Sequence, residues 1–172
     1  MTAVAPPFPA TLFAPQSDSL YTRWVILSGG QSGVDRAALD TALALGIPAG
    51  GWCPAGRWAE DGPIPPHYPL RETASRDPSD RTRRNVDGAD ALLVLAPQPV
   101  RGGTALAVRH AREGARPVLE VDPFGDDAAG AIRDGLGRLP ATVRILNVAG
   151  PRESEVPGVY AAVCRALMDA LR

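Results

Sequence analysis

Lysine is absent from all 172 residues, and each of the 18 basic residues is an arginine. A nucleotide loop of the G-x-x-x-x-G-K-[ST] type is therefore excluded, because nothing can supply its lysine. Net charge is also scarce. The 18 arginines face 19 acidic residues, a formal charge of -1, which leaves no electrostatic footprint for a nucleic-acid partner. The two cysteines, Cys53 and Cys164, and the two histidines, His67 and His110, form no C-x-x-C and show no metal-ligand spacing. No metal site is expected, and the cysteines read as buried thiols of a reducing compartment. No apolar run approaches a membrane span. The first residues lack the basic and apolar segments of a signal peptide. The default expectation is a cytoplasmic protein without a membrane partner.

The length suits a single domain with a proper core. Residues 1–22 are rich in proline, and Pro6, Pro7, Pro9 and Pro15 would break any helix there. This segment reads as an extended N-terminal arm, with Phe8, Leu12, Phe13 and Leu20 available to dock on the domain. From Arg23 onward, apolar runs alternate with helical patterns. Strands are expected at Trp24–Leu27, Ile47–Trp52, Ala91–Ala96, Val118–Val121 and Val143–Val148. They are short and continuously apolar, as strands covered on both faces should be. Helices are expected over Val34–Leu45, from Asp77 to just before Gly88, over Thr104–Glu113 and Asp126–Leu136, and from near Gly158 to Leu171. Such alternation predicts an α/β fold: one Rossmann-like, doubly wound, mainly parallel sheet with helices on both faces over residues 23–172. The stretch from Cys53 to about Arg76, crowded with proline and glycine, reads as a long loop.

In an open parallel sheet, ligands bind beyond the carboxyl ends of the strands, and the polar residues of this chain gather there. Ser28-Gly29-Gly30-Gln31-Ser32-Gly33 follows the first strand and opens the first helix. Glycines let backbone approach a ligand closely, and a helix N-terminus favours an anion such as phosphate. Ser28, Gln31 and Ser32 add donors, and Asp35-Arg36 adds a charged pair that a plain connection does not need. The second strand leads into Arg57 and Glu60. Arg101-Gly102-Gly103-Thr104 sets a second glycine pair at a helix start, and Asn147 to Gly150 closes the last strand. On the second helix, Arg81 shares a face with Arg84 or Asn85, and Arg83 points elsewhere. At least one of these arginines is expected to turn to the site and the others to solvent. The spacing G-x-G-x-x-G is not met. A phosphate-bearing small molecule is the expected partner.

The run from Ser28 to Asp40 resembles the signature of the molybdenum carrier proteins. The likeness extends to Gly51-Trp52-Cys53-Pro54 with Arg57, Glu60-Asp61-Gly62, Tyr68-Pro69-Leu70, Arg83, Asn85, Gly102-Gly103-Thr104 and Asn147 to Arg152. That group is similar to a wider Rossmann-like superfamily containing the DNA-uptake protein DprA and the LONELY GUY phosphoribohydrolases. The resemblance implies a homo-oligomeric binding protein for molybdenum cofactor (molybdopterin) or a related phosphorylated heterocycle. Its site residues would be Ser28, Gly29, Gly30, Gln31, Ser32, Gly33, Asp35, Arg36, Arg57, Glu60, Arg83, Asn85, Gly102, Gly103, Thr104, Asn147 and Gly150, with Trp52 or Trp58 placed to pack on a ring. The alternative is phosphoribohydrolase activity on a nucleoside monophosphate, or a nucleotide-sensing module. The hydrolases carry P-G-G-x-G-T-x-x-E, and here the glutamate position is Ala107. A catalytic carboxylate would have to come from Glu60, Asp61 or Glu153.

Overall fold

A computed structural model of the chain describes residues 23–172; the expected N-terminal arm lies outside them. Six strands form one all-parallel sheet: β1 (Val25–Leu27), β2 (Ala49–Cys53), β3 (Leu70–Glu72), β4 (Ala91–Leu95), β5 (Val118–Val121) and β6 (Ile145–Ala149). Their spatial order is β3-β2-β1-β6-β4-β5. The five helices are α1 (Val34–Ala44), α2 (Pro78–Asp87), α3 (Gly102–Glu113), α4 (Ala128–Gly137) and α5 (Val159–Leu171). Helices α1, α4 and α5 pack on one face of the sheet, and α2 and α3 on the other.

Both faces are covered, so β4, flanked by β6 and β5, buries every one of its residues. The α1 stripe of Val34, Ala38 and Ala42 and the α5 stripe of Val159, Val163 and Leu167 meet in the larger core. On the opposite face, Val86 of α2 packs with Ala107, Val108 and Ala111 of α3 over Leu92 and Val94. Helix starts follow their local chemistry. Asp77 accepts from the Ser79 N–H at 2.9 Å and Pro78 opens α2, while Asp127 accepts from the Gly130 N–H at 2.9 Å to open α4. Glu153 reaches forward to the N–H groups of Gly158 (2.6 Å) and Tyr160 (3.0 Å), serving α5.

The fold differs from the expectation in the long loop and at the start of α3. The presumed loop from Cys53 to Arg76 contains a short helical turn at Ala55–Arg57 and the edge strand β3, in register with Gly51–Cys53 of β2. Three residues, Leu70-Arg71-Glu72, carry too little apolar pattern to announce a strand. Helix α3 begins two residues earlier than Thr104, so Gly102 and Gly103 sit inside its first turn. Cys53 is buried as expected, and Cys164 only half-buried.

Candidate functional site

Strand order reverses its direction of growth at the β6–β4 pair. From β1 the chain moves outward to β2 and β3. From β4 it moves outward the other way, to β5. The helices that follow β6 and β4 lie on opposite faces, so their connections part above the sheet. A crevice at such a switch point is where doubly wound folds hold ligands. Here it is a cleft of about 230 Å³. Gly29, Gln31 and Asp35 come to it from the β1–α1 turn, Arg81 and Asn85 from α2, and Gly102, Gly103 and Thr104 from α3. Asn147 and Gly150 close it from β6, joined by Arg152 and Glu155 of the following loop.

The two glycine turns share this cleft but differ in what they offer. At α1 three of the amides are already used. The Gln31 N–H donates to Asp35 Oδ2 (3.4 Å), the Ser32 N–H to Gln31 Oε1 (3.1 Å) and the Val34 N–H to the Pro151 carbonyl (3.2 Å). At α3 the first helical bond runs from the Ala105 N–H to the Arg101 carbonyl, and no side chain caps the turn. The N–H groups of Gly102, Gly103 and Thr104 stay open. A Cβ added to either glycine would meet nothing within 4 Å. The more open of the two helix starts is therefore that of α3.

Two arginines bring positive charge. Arg81 Nη1 lies 2.9 Å from Asp35 Oδ2, and the pair is mostly buried, with side-chain exposures of 15% and 5%. Gly29 makes this possible, because a Cβ there would collide with the Arg81 guanidinium. Arg81 Nε is buried without a partner. The Arg152 guanidinium stands 5.8 Å from the Trp58 ring centroid. Asn147 completes the wall. It is 3% exposed as a residue and its side-chain amide bonds to no described residue, but the amide atoms are not among those sealed from solvent.

Several expected site residues lie elsewhere. Ser28 Oγ donates to the Val148 carbonyl at 2.8 Å and ties β1 to β6. Gly30 and Gly33 shape the turn at φ 76° and 77°, and Gly33 faces the Pro151–Glu153 backbone. Arg36 pairs with Asp61 (2.6 Å) and donates to the Gly30 carbonyl (3.2 and 3.3 Å). Arg57 grips the loop carbonyls of Ile64 (3.0 Å), Pro65 (2.8 Å), Tyr68 (3.1 Å) and Leu70 (3.2 Å). Glu60 accepts from the hydroxyls of Ser32 and Ser154, and the Ser154 bond first, then Ser32, holds its carboxyl below the ordinary range. Arg83 turns outward to Ser79 Oγ (3.1 Å).

In its place the cleft receives Arg81, four residues before Asn85 and therefore on the same helical face. The Asn85 amide also brackets β2, accepting from the Trp52 N–H (2.8 Å) and donating to its carbonyl (2.9 Å). Arg152 and Glu155 were missed: they follow a proline in an irregular loop, and periodicity gives no signal there. The Cys53 thiol is pushed up by burial and lies outside the cleft. Among the described residues, no group of three or more His, Cys, Asp or Glu side chains is arranged to hold a metal ion. No helix among them is long and apolar enough to cross a membrane.

A parallel doubly wound sheet with an open, glycine-rich helix start at its switch point defines a Rossmann-like domain of the kind that holds ligands beyond its strand ends. Over residues 26–171 the chain matches the circularly permutated YpsA SLOG family, and it belongs to that family. The permutation is visible in the sheet. Counting β6 as the first strand turns the order into 4-3-2-1-5-6, a doubly wound order with one added edge strand. The chain is also similar to the crystal structure, at 1.45 Å resolution, of a "putative molybdenum carrier protein" from Syntrophus aciditrophicus SB. The two share 37% identity and a TM-score of 0.79 over 86% of this chain and 94% of the other. Comparison with curated proteins gives no significant match.

Proposed function

We propose that this chain is a carrier or storage protein that binds a small phosphorylated ligand in the switch-point cleft and releases it unchanged. The observation that carries this reading is the uncapped start of α3, with the open N–H groups of Gly102, Gly103 and Thr104, sharing one cleft with Arg81, Arg152 and Asn147. A phosphate would accept from those three amides at the positive end of α3, with charge from Arg81 and Arg152. Asn147 would then fix the orientation of the neighbouring ligand atoms. The ligand class we favour is molybdenum cofactor or a related phosphorylated heterocycle, in keeping with the carrier role named for the Syntrophus relative. Its metal would be held by sulfurs of the ligand, since the described side chains offer no metal cluster.

The carboxylates weighed for a relocated hydrolase are engaged in structural bonds. Glu60 is held by two serines, Asp61 by Arg36, and Glu153 by the start of α5. Ala107, at the hydrolase glutamate position, lines the cleft without a titratable group.

The test is to denature freshly purified protein and identify released small molecules by mass spectrometry. Calorimetric titration with inorganic phosphate would be run on the natural chain and on Asn147→Leu. Because the Asn147 amide bonds to no described residue, the variant should keep its stability yet lose about tenfold or more in affinity for the released ligand, an energy in the range of one or two hydrogen bonds. Absence of any phosphorylated molecule, together with no heat from phosphate at millimolar concentration, would refute the reading.

A further inference from the structure

Trp58 is 48% exposed, and the chain makes an effort to hold it there. The two other tryptophans each lie under a guanidinium, Trp24 under Arg23 at 4.3 Å and Trp52 under Arg84 at 5.2 Å, and both are half-buried. Trp58, more exposed than either, stands at the edge of a second cavity of about 410 Å³, lined with it by Ala55, Gly56, Arg76 and Pro78. Pro78 also lines the switch-point cleft. Arg152, from the cleft wall, places its guanidinium 5.8 Å from the Trp58 ring centroid. Pro78 thus borders both cavities, and Arg152 belongs to the cleft wall while standing beside the ring.

The backbone around this ring is anchored on both sides. Just before it, the Gly56 N–H donates to Glu72 Oε2 at 2.6 Å, and Arg57 makes its four bonds to loop carbonyls. Arg57 adopts φ 52°, a left-handed conformation that side chains other than glycine seldom take. Just after it, the Glu60 N–H donates to Gln31 Oε1 at 2.9 Å, and the Glu60 carboxylate takes the hydroxyls of Ser32 and Ser154. Charged bonds and an uncommon backbone conformation are therefore spent on displaying a large aromatic ring to solvent, which burial would otherwise favour.

We propose that Trp58, flanked by the Arg152 guanidinium, is the stacking platform for a planar heterocycle whose phosphate lies at the α3 N-terminus. The inference rests on the reading of the cleft as a phosphate site and adds to it the position and chemistry of the organic end. A ring held this way contacts a π-face and a cation together, so the platform selects flat aromatic rings and tolerates different substituents.

The test uses a pterin monophosphate and inorganic phosphate as probes, with calorimetry and tryptophan fluorescence on the natural chain, Trp58→Phe and Trp58→Ala. Trp58→Ala should weaken the pterin monophosphate about tenfold or more, the usual scale for loss of a stacked ring. Trp58→Phe should recover most of that loss, and the affinity for inorganic phosphate should be the same in all three. Fluorescence quenching by the pterin probe in the natural chain should disappear in Trp58→Phe. If both probes bind and the pterin affinity is indifferent to Trp58→Ala, the platform is refuted while the phosphate site stands. If neither probe binds the natural chain, both proposals fall.

Discussion

Arg81→Met separates what the cleft arginine does for the fold from what it does for a ligand. The substitution keeps most of the side-chain stem and removes only the guanidinium. Asp35 is then left 5% exposed, with the Gln31 N–H at 3.4 Å as its remaining donor. Breaking a buried ion pair from one side costs about 3–5 kcal/mol, because an uncompensated charge stays behind. Arg81 retains 15% exposure, so water compensates part of the loss and the expected cost is about 2–4 kcal/mol. For a chain of this size that corresponds to a fall in Tm of about 4–16 °C.

Asp35→Asn supplies the second edge of a double-mutant cycle. With both charges gone the buried site holds neutral groups, and the double variant should be more stable than the sum of the two single losses by about 1–3 kcal/mol. Urea denaturation followed by circular dichroism at fixed salt reads this directly, provided the slope with denaturant is unchanged. Affinity for inorganic phosphate should fall in Arg81→Met and in the double variant alike, because restoring stability does not restore the cation. Additive single losses, or an Arg81→Met variant within about 0.5 kcal/mol of the natural chain, would show that the pair does not stabilise the cleft.

Acid should loosen the loop after β2. Hydrogen bonds from Ser154 and Ser32 hold the Glu60 carboxyl below its ordinary value of 4.5, so its contribution is present above about pH 4.5 and is lost as pH falls through the lower folded value. Glu60→Gln should remove this part of the acid limb in urea melts from about pH 7 to about pH 3, and an acid limb identical in both proteins would contradict the assignment. On the chemical side, the natural chain should release no free base from AMP or GMP, since an acid–base group worth about 10²–10⁴ in rate is missing at Ala107. Base release by the natural chain that disappears in Glu155→Gln would overturn the carrier reading and name the carboxylate that replaced it.

The alternation of buried strands and amphipathic helices was legible because both sheet faces are covered, which makes β4 an unbroken apolar run and gives α1 and α5 clear stripes. Strand β3 was not, because Leu70-Arg71-Glu72 becomes a strand only through its register with Gly51–Cys53. The site divides in a similar way. Glycine turns at strand ends could be found from the sequence, and helical spacing separates Arg81 from Arg83.

What spacing cannot reveal is which polar groups the fold itself consumes. Ser32, Arg36, Arg57 and Glu60 look as available as Asn147 in the sequence, yet each is bound to the long loop or its neighbours. Three amides leading into α1 are filled, by Asp35, by Gln31 and by a carbonyl from near the other end of the chain. That last partner, Pro151, reaches them only because β6 lies beside β1 in the sheet. Nearly all buried polar groups in a folded protein find partners; among the described side chains the buried atoms left over are Arg23 Nε, Thr41 Oγ1 and Arg81 Nε. Of these, Arg81 alone lines the cleft, where the first amides of α3 and the amide of Asn147 join it from two other elements.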